Sequence, residues 1–328
     1  MIELIQAAIF GGVLGGAGAW LVMKFGNKMG LNDIPNIRSS HSETIPKGGG
    51  IGILSTLILG SLVMSIPLWL WLPSVVIAAV SFFGGDKNAL TTNQRLIVQF
   101  CSSFLFIFCL LYSRRIGLEA YLLCIPISVF IVGTSNFYNF MDGIDGIAGV
   151  TGVVGFFLIW IYSYLIGADN LYQMICFMLM FSCIGFLFLN FPKAKVFLGD
   201  IGSVLLGFVF ACLIVALSKN IIDFIVMVGF IAPFYMDEIC TMLVRLNAGE
   251  SLTQPHRKHL YQLLANELEI KHWKISLAYG FVQLLIGFSV VAIRPRGIAA
   301  LFSVYFVYFV IFMVVSNRIH KLIRIVEK

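Results

Sequence analysis

The chain has 328 residues, of which 59% are hydrophobic and only 12% charged, with a formal net charge of +6. A soluble core of this length cannot hide so much apolar surface, which excludes an ordinary water-soluble enzyme. With no compact basic domain, nucleic-acid binding is a poor alternative, and the solvent for most of the chain must be lipid.

A helix needs about 20 mainly apolar residues to cross a hydrocarbon layer about 30 Å thick, because each residue advances about 1.5 Å. Its backbone polar groups must also pair internally. Stretches of this kind run Ile2 to Lys24, Gly50 to Ile66, Leu68 to Phe83, Leu96 to Tyr112, Leu118 to Ser135 and Ile147 to Ile166. They continue Leu171 to Asn190, Gly202 to Leu217, Ile221 to Leu243, Ile275 to Ile293 and Ile298 to Ser316. The expectation is an all-α polytopic membrane protein of about eleven transmembrane helices, forming one domain over residues 1–328. Pro67 and Pro73 leave open whether the second and third stretches are two helices joined by a tight turn or one bent span. The first stretch has no basic leading segment and no small-residue cleavage site, so it reads as a retained helix. All seven cysteines fall inside these stretches without metal-ligand spacing, which assigns them to packing.

Basic residues stay with cytoplasmic loops near helix ends. With eleven spans, seventeen of the 22 lysines and arginines fall on one side, leaving Arg114, Arg115, Lys219, Arg294 and Arg296 on the other. That bias puts the N-terminus outside and the C-terminus in the cytoplasm. It also makes segments of about 25–49, 84–95, 134–146, 191–201 and 244–274 the cytoplasmic active-site loops. The positive charge is then a property of one face, suited to phosphorylated substrates or anionic headgroups.

Carboxylates near a membrane are costly unless paired, hydrated or ligating a cation. Asp86, Asp142, Asp145, Asp200, Asp237 and Glu238 all fall at or near cytoplasmic helix ends, where they could converge in one shallow cleft. The segment from Asn136 to Gly146 carries Asn136, Asn139, Asp142 and Asp145 at a spacing of three, which places them on roughly one face if the segment is helical. Read blandly, it is a polar cap with turn glycines. Asp200, flanked by Gly199 and Gly202, heads an apolar helix and is open to reading as a structural cap. Carboxylate and amide oxygens together suit a hard cation, and a helix N-terminus adds donors for an anion. The run Pro255-His256-Arg257-Lys258-His259 presents two imidazoles and two cations to phosphate or sugar hydroxyls, or is simply a basic loop. Zinc is less attractive there, since no cysteine is near. Asn36, Arg38 and His41, followed by Pro46 to Gly50, form a further basic, glycine-rich edge.

These motifs, in this order and together with Asp86, Arg95 and Gln99, resemble those of the polyprenyl-phosphate N-acetylhexosamine-1-phosphate transferases. That family includes phospho-N-acetylmuramoyl-pentapeptide transferase and the initiators of O-antigen and enterobacterial common antigen synthesis. The wording around Tyr138 to Gly146 and His256 to Gln262 looks most like the O-antigen branch. The resemblance implies a multi-pass enzyme of the bacterial inner membrane that moves a sugar 1-phosphate from a UDP-N-acetylhexosamine to undecaprenyl phosphate, releasing UMP. It implies magnesium, with manganese as the alternative, held by Asn139 and Asp200. It assigns Asp86, Asp142, Asp145 and Asp200 to catalysis, and Arg38, His41, Arg95, Asn136, Asn139, His256, Arg257 and His259 to substrate binding. Besides the lipid bilayer and the two substrates, a homodimer is left open as a partner, and nucleic acid is not expected. One departure stands out: Gly85 occupies the place of the first of two adjacent aspartates, leaving Asp86 as the second. A non-catalytic homologue and a polytopic transporter or flippase are the competing readings.

Overall fold

The structure, a computed structural model, describes residues 2–35, 39–83, 90–251, 254 and 256–326. Its helices are α1 (Ile2–Phe25), α2 (Ile51–Val63), α3 (Leu68–Phe83), α4 (Thr92–Ser113), α5 (Cys124–Phe140), α6 (Ile147–Leu165) and α7 (Asn170–Asn190). They continue with α8 (Asp200–Leu217), α9 (Ile221–Val228), α10 (Ala232–Asn247), α11 (Leu260–Asn266), α12 (His272–Ile293) and α13 (Ile298–Val326). A two-stranded antiparallel ribbon pairs β1 (Asn32–Asp33) with β2 (Ile45–Pro46). Among the described residues, nine helical stretches are long and apolar enough to cross a membrane, counting α9 and α10 as one. The helices α2 and α3 are apolar but shorter. The chain is therefore a polytopic all-α membrane protein.

Local signals explain where the helices begin and break. Thr91 and Gln94 form a reciprocal cap at the start of α4, with Gln94 N donating to Thr91 Oγ1 at 3.3 Å and Thr91 N to Gln94 Oε1 at 2.9 Å. Asp169 and Asn220 cap α7 and α9 by accepting backbone bonds of 3.0 and 2.9 Å. The Pro67 question resolves into two helices: α2 ends at Val63, Ser65 turns the chain at φ 53°, and α3 starts at Leu68. The ninth expected span is not one rod. A 3₁₀ turn at Gly229–Ile231 divides it into α9 and α10 just before Pro233.

The core is α8, whose described side chains are almost all buried, with the other helices ranged around it and α13 outermost. Close packing of α1 on α7 depends on missing side chains: a Cβ on Gly11 would meet Met178 O at 2.3 Å, and one on Gly15 would meet Ser182 O at 2.1 Å. The matching registers of these contacts show that α1 and α7 run parallel.

Helix ends gather at two poles. At the first, Lys47 bridges Phe197, Arg95 reaches Asp200, Tyr261 reaches Phe140, and His272 reaches Asp145. At the other, Arg114 caps the carbonyl of Ala216, Lys219 caps that of Ile166, and Arg294 pairs with buried Asp223 at 2.8 Å.

Candidate active site

The first pole is built around the start of α8. Gly199 takes φ 72°, a left-handed turn that suits glycine, and sets Asp200 as the first residue of the helix. This turn is held from outside by the glycine-rich segment after β2. Gly48 N and Gly49 N donate to Phe197 O at 3.1 and 2.8 Å, Gly50 N donates to Leu198 O at 3.0 Å, and Phe197 N donates to Pro46 O at 2.8 Å. A Cβ on Gly50 would meet Gly202 Cα at 2.3 Å, so the two backbones touch directly. The glycines are thus a lattice that fixes Asp200, which their position in a loop alone did not reveal.

Asp200 is the hub. Its Oδ2 accepts Arg95 Nη1 at 2.9 Å, across 105 residues of sequence, and its Oδ1 lies 3.4 Å from Asn139 Nδ2. Asn139 also donates to Ser203 Oγ at 2.7 Å. Asn136 turns away to donate to Gln99 Oε1 at 2.7 Å, which ties α5 to α4. The helix α5 ends at Phe140, so Asn136 and Asn139 are helical whereas Asp142 and Asp145 lie on the turn that leads into α6.

That turn is firmly braced. Gly146 N donates to Asn190 Oδ1 at 2.8 Å, Tyr138 Oη donates to Ala148 O at 2.7 Å, and Ser276 Oγ donates to Asp145 O at 2.8 Å. Asp145 Oδ2 pairs with His272 Nδ1 at 3.2 Å. Burial pushes the Asp142 carboxyl up to about 7, with the charges of Asp200 and then Asp145 adding to it. Three acids held this near one another leave an excess of negative charge that a cation would relieve. Arg95 supplies one such cation. Among the described residues, no three His, Cys, Asp or Glu side chains gather tightly enough to cage a metal. A carboxylate and an amide are nevertheless the donor set that suits a hard divalent ion sharing its remaining positions with substrate phosphate.

Beside this turn lies a cavity of about 400 Å³, lined by His41, Glu43, Asp145, Lys193, Asn266 and His272 among others. His41 packs edge-on against Phe197 with centroids 4.8 Å apart and lies 3.8 Å from Asp33. Cations and imidazoles around an open pocket next to the carboxylates suit the remainder of a phosphorylated substrate.

The loop from α10 to α11 folds over the same pole, but its members divide. His256 is half-buried, and burial together with the cations around it, His259 first, pulls it down to about 4, so it is neutral at physiological pH. Arg257 pairs with Glu267 at 2.7 Å, and Lys258 pairs with Glu250. His259 is 3% exposed and lies 3.4 Å from Glu238 Oε2 and 3.8 Å from Asp237 Oδ1. Burial alone would lower the His259 pKa; its pairing with Asp237 and the acidic charge of Glu238 outweigh that and raise it. Of the acids that could have shared one cleft, this pair is engaged elsewhere. Asp237 and Glu238 are buried against His259 and the start of α11, whereas Asp200 pairs with Arg95. Asp86 and Arg38, with Asn36 and Gly85, lie outside the described residues. His272 is a site residue that sequence reasoning missed, and no local signal marks it.

A family model described as glycosyl transferase family 4 matches residues 67–218, which span α3 to α8 and include Arg95, Asn139, Asp142, Asp145 and Asp200. Over these residues the chain is similar to that family. The chain is 24% identical over 264 residues to a probable undecaprenyl-phosphate N-acetylglucosaminyl 1-phosphate transferase of Bacillus subtilis, covering 74% of the chain and 72% of that protein. It is 26% identical over 300 residues to the phospho-N-acetylmuramoyl-pentapeptide-transferase of Staphylococcus aureus strain MSSA476, covering 81% and 91%. The enzyme of the same name from Staphylococcus saprophyticus is 27% identical over 221 residues, covering 62% and 68%.

Proposed function

We propose that this protein transfers a sugar 1-phosphate of the N-acetylhexosamine type from a UDP-sugar to undecaprenyl phosphate at the cytoplasmic face of a bacterial inner membrane. UMP is released, and the lipid diphosphate sugar starts an O-antigen or another cell-envelope polysaccharide. The observation that carries the reading is the meeting of Arg95, Asn139 and Asp200 at one pole of a lipid-embedded bundle, 2.9 and 3.4 Å apart across three helices. The names of the relatives support it.

In this reaction an oxygen of the lipid phosphate forms a bond to the sugar-bearing phosphorus. The bond from that phosphorus to the bridging oxygen breaks, and UMP leaves with the electron pair. The nucleophile is already an anion, so no side chain need be activated as one; alignment and charge neutralisation are what the protein must provide. Asn139 and Asp200 are the residues that would hold magnesium, or manganese in its place, and when bound the ion neutralises charge on the diphosphate. Arg95 adds a fixed positive charge beside them. The pocket between Asp145, His272 and His41 receives the rest of the donor.

The test is release of radiolabelled UMP by purified protein from a panel of UDP-N-acetylhexosamines, with undecaprenyl phosphate and magnesium present and Asp200→Asn as the control. Metal-dependent turnover that disappears in the variant is expected. A folded protein that turns over no member of the panel would overturn the proposal in favour of a non-catalytic homologue.

A further inference from the structure

Beyond the residues already assigned to the site, the most densely bonded buried polar group in the described structure is Asp237. This carboxylate is fully buried in α10 and accepts four hydrogen bonds: Leu260 N at 2.8 Å, Tyr261 N at 3.2 Å, Tyr279 Oη at 2.6 Å and Thr241 Oγ1 at 3.3 Å. Leu260 and Tyr261 open α11, and the first amides of a helix have no partner within it. A carboxylate from another helix takes the place of the usual cap and also suits the positive end of the α11 dipole. His259, between the two acids, completes the anchor.

The same short helix reaches the catalytic turn. Tyr261, 0% exposed, donates its phenol hydrogen to Phe140 O at 3.0 Å. Phe140 is the last residue of α5, where carbonyls lose their helical partners; Phe137 O takes Met141 N at 3.1 Å and Asn139 O takes Asp142 N at 3.2 Å. The phenol supplies the next cap. It also rests on Gly143, where a Cβ would lie 2.3 Å from Oη. The contact therefore falls between Asn139 and Asp142 and touches the backbone on both sides of Met141.

We infer that Asp237 and Tyr261 are positioning residues: Asp237 fixes the start of α11, and through α11 the Tyr261 phenol fixes the turn that presents Asn139 and Asp142. Neither contacts substrate in this account. The effect on turnover rests on the proposed function; the effect on the turn does not.

The experiment combines amide hydrogen exchange with nucleotide release, using full-length protein in detergent. Tyr261→Phe keeps the ring and removes one buried bond, so exchange at Met141 and Asp142 rises about tenfold. Release of UMP falls about tenfold in kcat with KM changed less than about twofold, the split expected for misplaced catalytic groups and not for lost binding. Asp237→Asn, which keeps one acceptor oxygen, loosens α11 and the turn together. Tyr308→Phe, which removes a phenol bond to Ser289 of 2.9 Å toward the opposite pole, changes neither reading. Unchanged exchange over residues 140–146 in folded Tyr261→Phe overturns the inference. If the wild type releases no nucleotide, the proposed function falls and exchange alone decides the positioning role.

Discussion

Placing one methyl group at Gly143 tests how tightly α11 and the turn from α5 to α6 are fitted. In Gly143→Ala the new Cβ would sit 2.3 Å from Tyr261 Oη, against about 3.0 Å for the tightest real contacts, so the ring or the turn must shift by at least about 0.7 Å. Overpacking of this kind costs about 1–3 kcal/mol. The shift also strains the 3.0 Å bond from Tyr261 to Phe140 O, worth about 1 kcal/mol when its acceptor is buried. Tyr261→Phe alone costs about 1–2 kcal/mol, because it leaves that carbonyl without its partner. In the double variant the clashing oxygen is gone and the nearest ring carbons lie 3.1 Å from the new methyl, a contact relieved by a few tenths of an ångström. The two costs therefore fail to add, and the double variant is more stable than the sum of the singles predicts by about 1–2 kcal/mol. Reversible unfolding in mixed detergent micelles of all four proteins closes the cycle. Additivity within about 0.5 kcal/mol would show that Tyr261 does not bear on the turn.

Three further outcomes are expected. Asp200→Asn lowers the rate of UMP release about 10²- to 10³-fold, since it removes charge from the hub shared by Arg95 and Asn139, while thermal unfolding stays near wild type. At the opposite pole, Asp223 is fully buried, bonded to Tyr162 at 2.7 Å and paired with Arg294 at 2.8 Å, so Asp223→Ala costs about 3–5 kcal/mol in the micelle assay. Removing Arg294 as well (Arg294→Leu) recovers part of that loss. His256 titrates near 4 in histidine-labelled NMR spectra. Its pKa is lowered on folding, so between about 6.5 and about 4 the unfolded chain binds a proton that the folded chain refuses. Stability therefore declines as pH falls through that window and levels below it, and His256→Gln removes this part of the slope.

The apolar runs made the bundle legible, because in lipid the length and hydrophobicity of a span are themselves the structural requirement. Each of the eleven stretches is helical, and the boundaries that moved did so for reasons a run of apolar residues does not carry. The end of α5 lies five residues beyond the expected Ser135, since Asn136 and Asn139 satisfy their polarity on Gln99, Ser203 and Asp200. The break between α9 and α10 falls inside continuous hydrophobic sequence, signalled only by Gly229 and Pro233. The helix α11 was hidden in what reads as a polar loop; its start depends on Asp237, more than twenty residues earlier.

The site shows the same division. Asn139, Asp142, Asp145 and Asp200 were visible because polar groups at the mouths of spans are rare and must be explained. Which of them meet was not visible, since the contacts join segments 61 and 105 residues apart. Position along the chain also grouped Asp237 and Glu238 with the other acids. A carboxylate near a helix end has two ways to meet its solvation requirement: it can face water and a cation, or it can be enclosed by donors. Asp200 takes the first course, with a partly exposed side chain beside Arg95. Asp237 takes the second, with two amides, two hydroxyls and an imidazole around it. Sequence gives both the same address, and only the donors brought from α11 and α12 distinguish an acid free to serve a substrate from one already committed to the fold.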